Sequence, residues 1–466
     1  MSFRLRIHRV VVRPAPWLRS LVVAGWLLAG AAGAPAQSTV EEKFAALEAR
    51  IAQLEAELAA SKAARSSPAA GLQEVSAVDD SGGRPFIRPA VLVSPSPGPV
   101  LSPAGPAGLP EPAAAQPLPP QDTLGGDLEG LNFFKGVTFG GLVDAYYLFN
   151  FNEPTDRSVG FRTFDSRHNS FALNLAELSL NKSATAESPL GYNLTYGLGP
   201  TADFVNGADF GDGTTADNFF QYYLSARIPG TKDITLDFGK FVTIHGAEVI
   251  ETAPNWNYSR GLLFGLAIPF YHFGFRATIP VSETVTLTGL LVNGWDNVLD
   301  NNGGKTFGLL FNWAPNDRFS LVQNYMTGPE ADDDNDTYRH LFDTLLTVKL
   351  HDKVTFMTNF DYGMDRDAGS HVHWIGTANY LRFQLTPTFA LTPRFEFFSD
   401  PGGFRTGVRQ QLKEFTITPE FVVSENLVTR FEFRRDWSNE PAFAVGSPGD
   451  DPKVQNTAAV GMLLTF

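Results

Sequence analysis

The stretch VTFGGLVDAYYLF, residues 137–149, alternates between two kinds of side chain. One face is formed by every second residue: Val137, Phe139, Gly141, Val143, Ala145, Tyr147 and Phe149. The other face carries Thr138, Gly140, Asp144 and Tyr146. A period of two residues places successive side chains on opposite sides of the chain, so the stretch predicts a β-strand.

Similar alternating runs follow to residue 466 and predict an all-β domain of about sixteen strands. They lie near 169–182, 191–200, 218–228, 233–244, 270–279, 284–294, 305–313, 318–327, 339–350, 354–362, 372–385, 389–398, 409–423, 427–437 and 453–466. The domain is therefore expected to occupy residues 131–466.

The connections between these runs predict how the strands are arranged. Tight turns are expected at Pro229-Gly230-Thr231-Lys232, Pro280-Val281-Ser282, Pro315-Asn316-Asp317, His351-Asp352-Lys353 and Ser424-Glu425-Asn426. They alternate with longer loops rich in Asp, Asn and Gly, as in closed antiparallel transmembrane barrels with periplasmic turns and external loops.

The two faces of each strand suggest which solvent surrounds the barrel. Apolar candidates for the outward face are Phe415, Ile417, Phe421, Phe431 and Phe433, and their neighbours are polar or charged. A soluble sandwich would bury the apolar face, whereas a transmembrane barrel turns it to lipid. The last run, apolar at alternate positions and ending on Phe466, is similar to the recognition signal of outer-membrane barrel assembly, and favours the membrane.

The first 36 residues predict a cleavable signal peptide. Several arginines precede the apolar run from Leu21 to Ala32, and Ala34 and Ala36 supply the small residues at a cleavage site. The apolar run is too short to span a bilayer comfortably. We therefore expect export without a helical anchor.

Residues 37–62 predict a short coiled-coil helix, because an a/d seam runs through Val40, Phe44, Leu47, Ile51, Leu54 and Leu58. Fewer than three heptads leave a solitary amphipathic helix as the alternative. Residues 63–130, rich in Pro, Ala, Gly and Ser, predict a disordered periplasmic spacer.

Composition excludes several kinds of function. The chain has 36 basic and 50 acidic residues, a net charge of -14, which argues against nucleic acid as a partner. It has no Cys, so disulfides, thiolate nucleophiles and Cys-based metal sites are excluded.

Short motifs along residues 133–466 resemble outer-membrane porins of the OmpL-like β-barrel porin-2 family. The motifs are Asp144-Ala145-Tyr146-Tyr147, Asn174-Leu175-Ala176-Glu177, Gly239-Lys240-Phe241, His245-Gly246-Ala247-Glu248-Val249-Ile250-Glu251, Asn257-Tyr258-Ser259-Arg260, Pro269-Phe270-Tyr271-His272, Val292-Asn293-Gly294-Trp295, Arg394-Phe395-Glu396 and Arg430-Phe431-Glu432-Phe433-Arg434-Arg435-Asp436. The resemblance implies passive transport of small solutes and assigns no catalytic residue.

The segment from Thr243 to Tyr271 is the longest connection with apolar content, and we expect it to fold inward and narrow the lumen between strands five and six. It resembles the constricting loop of sixteen-stranded porins. The alternative is a loop that caps the rim or packs on a neighbouring subunit.

An inward fold would bring Glu248 and Glu251 into the lumen. The candidate constriction residues on the inward face of strands thirteen to fifteen are Arg394, Arg430 and Arg434, with Glu396, Glu414 and Glu432 between them. Acids facing arginines would set a transverse field that orients solutes. The alternative is that the arginines and glutamates of the wall pair only with one another.

Other chemistry has weaker support. His245 with the loop acids, and His371 with His373, give only pairs of metal ligands, so we expect neither a metal nor a cofactor. The run Asp332-Asp333-Asp334-Asn335-Asp336 suggests a solvated acidic loop rather than a Ca²⁺ site. With no distinctive serine motif or phosphate-binding loop, an enzyme is not expected.

The sequence therefore predicts an outer-membrane porin for small hydrophilic solutes or ions. The expected partners are outer-membrane lipids, the barrel assembly machinery and other copies of the chain, with a trimer favoured. The alternative is a structural anchor that conducts little and whose coiled coil and spacer engage a periplasmic or cell-wall partner.

Overall fold

Sixteen β-strands form the body of the protein. The computed structural model describes residues 135–206, 218–231, 233–367, 369–445 and 452–466. In chain order the strands are β1 (Val137–Asn150), β2 (Ser170–Lys182), β3 (Leu190–Leu198), β4 (Phe219–Arg227), β5 (Thr235–Val242), β6 (Tyr271–Ser282), β7 (Val285–Val292), β8 (Thr306–Asn316), β9 (Phe319–Ala331), β10 (Asp334–His351), β11 (Val354–Asp367), β12 (Ser370–Thr386), β13 (Phe389–Asp400), β14 (Gln410–Ser424), β15 (Leu427–Ser438) and β16 (Val454–Thr465).

The strands close into one antiparallel barrel, which confirms the predicted fold class. Each strand pairs with the next along the chain, and β16 pairs with β1 to complete the circle. At the closing pair, the Gly141 amide donates to the Phe466 carbonyl oxygen at 2.8 Å, and the Phe466 amide donates back at 3.1 Å. Closure leaves no unpaired edge in the sheet, which is what a sheet surrounded by lipid requires.

The two faces of the barrel wall differ as the alternation predicts. Phe415, Phe431 and Phe433 are 39 to 47% exposed, while their neighbours Glu414 and Glu432 are buried. A soluble sandwich buries its apolar face and exposes its polar face, and the burial pattern here is the opposite. It fits a barrel wall with lipid outside and polar groups inside.

The connections differ from the prediction at three places, and the first is the predicted turn Pro280-Val281-Ser282, which forms the end of β6. The turn side has tight connections at 283–284, 317–318, 352–353, 387–388 and 425–426. The opposite side has long loops at 151–169, 199–218, 243–270, 293–305 and 439–453. However, β9 and β10 are joined there only by Asp332 and Asp333, so the acidic run lies in a hairpin and not in a long loop. Asp333 takes a positive φ of 56°, a conformation that Asp tolerates. β11 ends at Asp367 and β12 begins at Ser370, so this connection is also shorter than predicted.

The described parts of the long loops contain two short helices: α1 (Pro200–Asn206) follows β3 and α2 (Leu262–Leu266) precedes β6. No helix among the described residues is long and apolar enough to cross a membrane. The predicted signal peptide, coiled coil and spacer lie outside the described residues.

Two glycines that face each other allow the backbones of β5 and β6 to lie close to their neighbouring strands. The longest loop connects these two strands. Gly239 and Gly274 lie opposite each other, at φ of 137° and 152°. A Cβ atom on Gly239 would lie 2.3 Å from the Tyr222 carbonyl oxygen, and one on Gly274 would lie 2.4 Å from that of Leu291. Because both obstructing atoms belong to the backbone, they cannot turn aside as a side chain can.

We therefore expect Gly239→Ala and Gly274→Ala each to lower the free energy of unfolding by about 1–3 kcal/mol. The measurement is urea unfolding of the barrel in lipid vesicles. Gly289→Ala on β7 is the control, since no atom lies within 4 Å of the added Cβ. Equal losses for all three variants would contradict this account.

Candidate channel constriction

The constriction loop, residues 243–270, starts and ends at neighbouring strands. Val242 at the end of β5 pairs with Tyr271 at the start of β6. The Thr243 amide then donates to the Phe270 carbonyl oxygen at 2.9 Å, which extends the hairpin by one bond. The two ends of the loop are thus fixed together, and the loop's position depends on the contacts of the residues between them.

The wall formed by β13 and β15 binds the loop through its acids. Glu396 on β13 accepts a hydrogen bond from the Leu262 amide at 2.5 Å. Glu432 on β15 accepts from the Tyr258 amide at 2.8 Å. Hydrogen bonds with one charged partner are about twice as strong as neutral ones. Each glutamate therefore holds a stretch of loop backbone against the wall.

Arginines of β15 bind the same loop through its carbonyl oxygens. Arg430 Nη1 donates to the Thr252 carbonyl oxygen at 2.6 Å, and Arg434 Nη1 donates to that of Arg260 at 2.7 Å. Both side chains are buried. The glutamates of the wall thus accept hydrogen bonds from backbone amides of the loop, and the arginines of the wall donate hydrogen bonds to its backbone carbonyl oxygens.

Further contacts join the start of the loop to β10 and β11. The Gly246 amide donates to Asp343 on β10 at 2.9 Å, and the Ala247 amide donates to Asn359 on β11 at 3.0 Å.

The middle and end of the loop contact two more strands. On β1, Asp144 accepts hydrogen bonds from the hydroxyl groups of Thr252 at 2.5 Å and Tyr258 at 2.8 Å. On β12, the Trp374 indole donates to the Ala267 carbonyl oxygen at 3.0 Å. The loop contacts inward-facing side chains of strands far from its own hairpin.

Apolar packing accompanies these polar contacts, and the sequence analysis identified the apolar content of the loop but not its partners on the strands. Loop residues that belong to the largest buried apolar cluster are Ile250, Leu262, Leu263, Phe264, Leu266, Ala267, Ile268 and Phe270. Strand residues in the same cluster include Leu142, Leu175, Met326, Leu341, Trp374, Phe398 and Leu412. They occupy the buried register positions that the alternation assigns to the polar face. The signal was therefore present, as large apolar residues at inward positions.

Glu248 lies directly against Arg394, with no gap for water between them. The Glu248 Oε1 atom is 2.6 Å from Arg394 Nη1, and Glu414 Oε1 is 3.0 Å from Arg394 Nε. The Arg394 side chain is fully buried. Arg394 is thus paired with one acid of the loop and one acid of the wall.

Glu251 does not face the arginines of β13 and β15. It lies beside Glu177 on β2, and each carboxyl group acts on the pKa of the other. Both carboxylate oxygens of Glu251, and Oε2 of Glu177, are buried without a hydrogen-bond partner among the described residues. Burial raises the pKa of Glu251 to about 7, against the lowering effects of Glu177 and of the nearby Arg260 charge.

Acidic groups outnumber basic ones in the buried part of the barrel. Among the described residues, sixteen Asp or Glu and ten Lys or Arg side chains are buried. Pairing can therefore neutralise all the bases and still leave acids over. The buried part of the described residues therefore has an acidic excess.

The histidines considered as metal ligands do not converge with acids. His245 lies 3.0 Å from the Thr243 hydroxyl, and burial lowers the pKa of His245 to about 3, so its imidazole is neutral. His371 and His373 are exposed on β12. The part of the chain that the structure describes has no group of three or more His, Asp or Glu placed to hold a metal.

Phe466, the predicted assembly signal, covers the closing pair of strands. Its ring centroid lies 6.3 Å from that of Phe139. A Cβ atom on Gly141 would lie 2.3 Å from the ring, so the ring occupies the space above this glycine. Phe466 thus contributes a side-chain contact as well as backbone hydrogen bonds to the β1–β16 closure.

A closed sixteen-stranded barrel with apolar groups outside and buried charges inside defines the class of outer-membrane porins. The family comparison agrees, since the sequence profile described as "Putative beta-barrel porin-2, OmpL-like" matches residues 136–466. The chain belongs to this family, as the resemblance predicted.

Solved structures with a similar fold include three outer-membrane proteins. They are OmpT of Vibrio cholerae (11% identity, 71% of this chain and 97% of that chain, TM-score 0.47), an anion-selective porin from Comamonas acidovorans (11%, 71% and 99%, 0.48) and the channel DcaP of Acinetobacter baumannii (11%, 71% and 97%, 0.46). The identities are too low to transfer selectivity to this chain. No curated protein sequence matches it.

Proposed function

We propose that the barrel is an outer-membrane channel for passive diffusion of small hydrophilic solutes or ions, narrowed by the constriction loop. The observation that carries the proposal is the set of contacts between this loop and the inward faces of β1, β10, β11, β12, β13 and β15. A segment bound to so many walls reduces the open cross-section. The family's porin character supports conduction over catalysis.

The constriction is proposed to comprise Glu248 and Glu251 of the loop with Arg394, Arg430, Arg434, Glu396 and Glu432 of the wall. Since Glu248 contacts Arg394 at 2.6 Å, the pair contributes little net charge to a passing ion. The acidic excess of the interior is then what an ion meets. We propose that the channel prefers cations.

The test is to replace residues 247–266 by a short Gly-Ser linker and to measure single channels in planar bilayers. The barrel should still form, because its strands pair without this segment, and conductance should rise several-fold as the cross-section opens. Replacing the turn-side connection 183–189 by the same linker is the control. Unchanged conductance after the loop replacement would sink the proposed constriction.

The apolar cluster inside the barrel favours a second candidate function. Leu263 and Phe264 pack with Trp374 and Phe398 in a buried apolar cluster. Placing water in such a cluster is unfavourable, because it offers few hydrogen-bonding partners. Such an interior suits an outer-membrane anchor that conducts little, whose residues 37–130 engage a periplasmic or cell-wall partner. Bilayer recordings of the full protein and of a variant without 37–130 separate the two, since no current from either favours the anchor.

Further proposals concern export, membrane insertion and assembly of the chain. We propose a cleavable signal peptide at 1–36, a periplasmic N-terminal extension, insertion by the barrel assembly machinery with Phe466 in its signal, and a homo-oligomer. No cofactor is needed for diffusion through a channel.

A further inference from the structure

Two arginines lie against three aromatic rings at the loop side of the barrel. The rings belong to Trp295 in the loop after β7, Trp374 on β12 and Phe404 in the connection after β13. The Cζ atom of Arg339 on β10 lies 4.8 Å from the ring centroid of Trp295 and 5.7 Å from that of Phe404. The Cζ atom of Arg405 lies 5.3 Å from the centroids of both tryptophans. We call these five residues the arginine–aromatic cluster.

Each arginine of the cluster is fixed in position through its Nε atom. Arg339 Nε donates to Asp365 on β11 at 2.6 Å, and Arg405 Nε donates to the Leu266 carbonyl oxygen of the constriction loop at 2.6 Å. Within the described part of the chain, neither arginine donates a second side-chain hydrogen bond, and no carboxylate oxygen lies within 4.0 Å of an Arg405 nitrogen. Each guanidinium therefore keeps two terminal nitrogens that no protein acceptor uses.

The surroundings of Arg405 exclude most water and leave its charge uncompensated. Arg405 is only 7% exposed, yet its terminal nitrogens are not among the fully enclosed polar atoms of the described residues. Burial and the charge of Arg339 lower the pKa of Arg405 from its ordinary 12.5 to about 10. A negatively charged ligand at the terminal nitrogens would oppose both effects, because it would supply the missing countercharge.

Carboxylates close to the cluster hold loop backbone in place. Glu330 on β9 accepts a hydrogen bond from the Trp295 amide at 2.7 Å. Asp400 accepts from the amides of residues 404–406 at 2.7 to 3.0 Å. Asp296 accepts from the last amide of the constriction loop at 2.5 Å. These acids fix the backbone that carries the cluster, so the site is already formed before a ligand arrives.

We propose that the arginine–aromatic cluster binds a small oxyanion, a carboxylate or a phosphate group, at the terminal nitrogens of Arg405, with Arg339 as a second positive charge. A guanidinium presents planar, paired donors that match two oxygens of either group. The rings hold the guanidinium plane in place without occupying its donors. The proposal goes beyond conduction, since an anion can bind here whether or not the barrel passes current.

Other kinds of ligand fit the cluster less well. Two positive charges repel a metal cation. A sugar ring or an apolar solute needs open aromatic surface, but Trp295 is 8% exposed and Trp374 is fully buried. Arg405 contacts both tryptophan rings, and Phe404 also stacks on Trp374, with their centroids 5.9 Å apart. The groups that remain available for recognition are therefore the nitrogens and not the rings.

The test is calorimetric titration of the full-length protein in detergent micelles with sodium acetate and, separately, with inorganic phosphate, at constant ionic strength. We expect saturable binding of at least one anion, and the two titrations show whether the site takes carboxylate, phosphate or both. Arg405→Gln should weaken this binding at least about tenfold. Arg409→Gln is the matched control, because Arg409 is an exposed arginine of the same connection and its loss changes the net charge equally.

A second variant separates the shape of the guanidinium from its charge. Arg405→Lys keeps the positive charge but lacks the planar fork, so binding should weaken although the connection stays cationic. An unchanged circular dichroism spectrum verifies that each variant is folded. Folded wild-type protein that binds neither anion saturably, or an Arg405→Gln variant that binds as tightly as the wild type, would overturn the proposal. Channels that conduct but bind neither anion would refute this site and leave the proposed function intact.

Discussion

Arg394→Ala should lower the free energy of unfolding by about 3–5 kcal/mol, the largest effect expected of any single substitution in this protein. The arginine is fully buried and lies within 4.0 Å of three glutamates, at 2.6 Å from Glu248, 3.0 Å from Glu414 and 4.0 Å from Glu396. Removing it leaves these carboxylates buried near one another without their common partner. Urea unfolding in vesicles measures the loss.

The same substitution should release the constriction loop. Arg394 also donates to the Ser259 carbonyl oxygen at 2.8 Å, so both Ser259 and Glu248 lose their link to the wall. We therefore expect larger and noisier single-channel currents from the Arg394→Ala barrel that remains folded.

Two further variants distinguish charge from packing at this position. Arg318→Ala is the control, because this arginine is 61% exposed and its ion pair with Asp352 at 3.6 Å should contribute less than about 1 kcal/mol. Combining Arg394→Met with Glu248→Gln and Glu414→Gln should recover much of the lost stability. In this triple variant the two closest partners of Arg394 no longer carry a charge that is buried and unpaired. If the triple variant is as unstable as Arg394→Ala, unpaired charge is not the cause.

Channel conductance should rise as the pH is raised from 5 to 8, and the Glu251→Gln variant should abolish this rise. The pKa of Glu251 is raised by burial from its ordinary 4.5 to about 7 when the loop is in place. Protonated Glu251 therefore stabilises the loop in its position against the wall. This stabilisation is complete below a pH of about 4.5 and is lost as the pH rises through 7. A shift of this size corresponds to about 3 kcal/mol.

Burial determines the sign of this effect, because it raises the pKa of Glu251. Glu177 on β2 and Arg260 of the loop both act in the opposite direction and lower that pKa. Glutamine at 251 keeps the size of the side chain and removes the titration, so its currents should resemble those of the wild-type protein at pH 5. Glu187→Gln, at an exposed site in the 183–189 connection, should keep the wild-type pH response. A wild-type conductance that is flat between pH 5 and 8 would refute the link.

The strands were predictable because burial on one face and lipid on the other impose a strict period of two. Residues 137–149, the first stretch to be interpreted, lie within β1, which extends one residue further to Asn150. The run from Asp332 to Asp336 was placed in a long loop, because Asp and Asn are common in both long loops and tight hairpins. Only the pairing of Asp334 with Ala331 distinguishes the two.

The site was predictable in composition but not in pairing. Arg394, Arg430 and Arg434 were identified from alternation, and all three are buried on the inward face. The position of Glu251 beside Glu177 could not be derived, because loop backbone geometry has no sequence period. The apolar cluster was overlooked for a different reason: Leu142 and Leu412 were present at inward positions, but porin resemblance suggested an interior of water.

The constriction loop also has a mechanical consequence. Its two ends are fixed at the β5–β6 pair, and Glu396 and Glu432 bind its middle on strands six to eight places away around the closed barrel. The cross-section of a barrel made from a single sheet is easily flattened into an ellipse, because hydrogen bonds between strands bend more readily than they stretch. A brace tied to distant walls opposes this flattening. The barrel should keep its circular section under lateral pressure from the membrane, and stiffness is then a property of the loop as much as of the sheet.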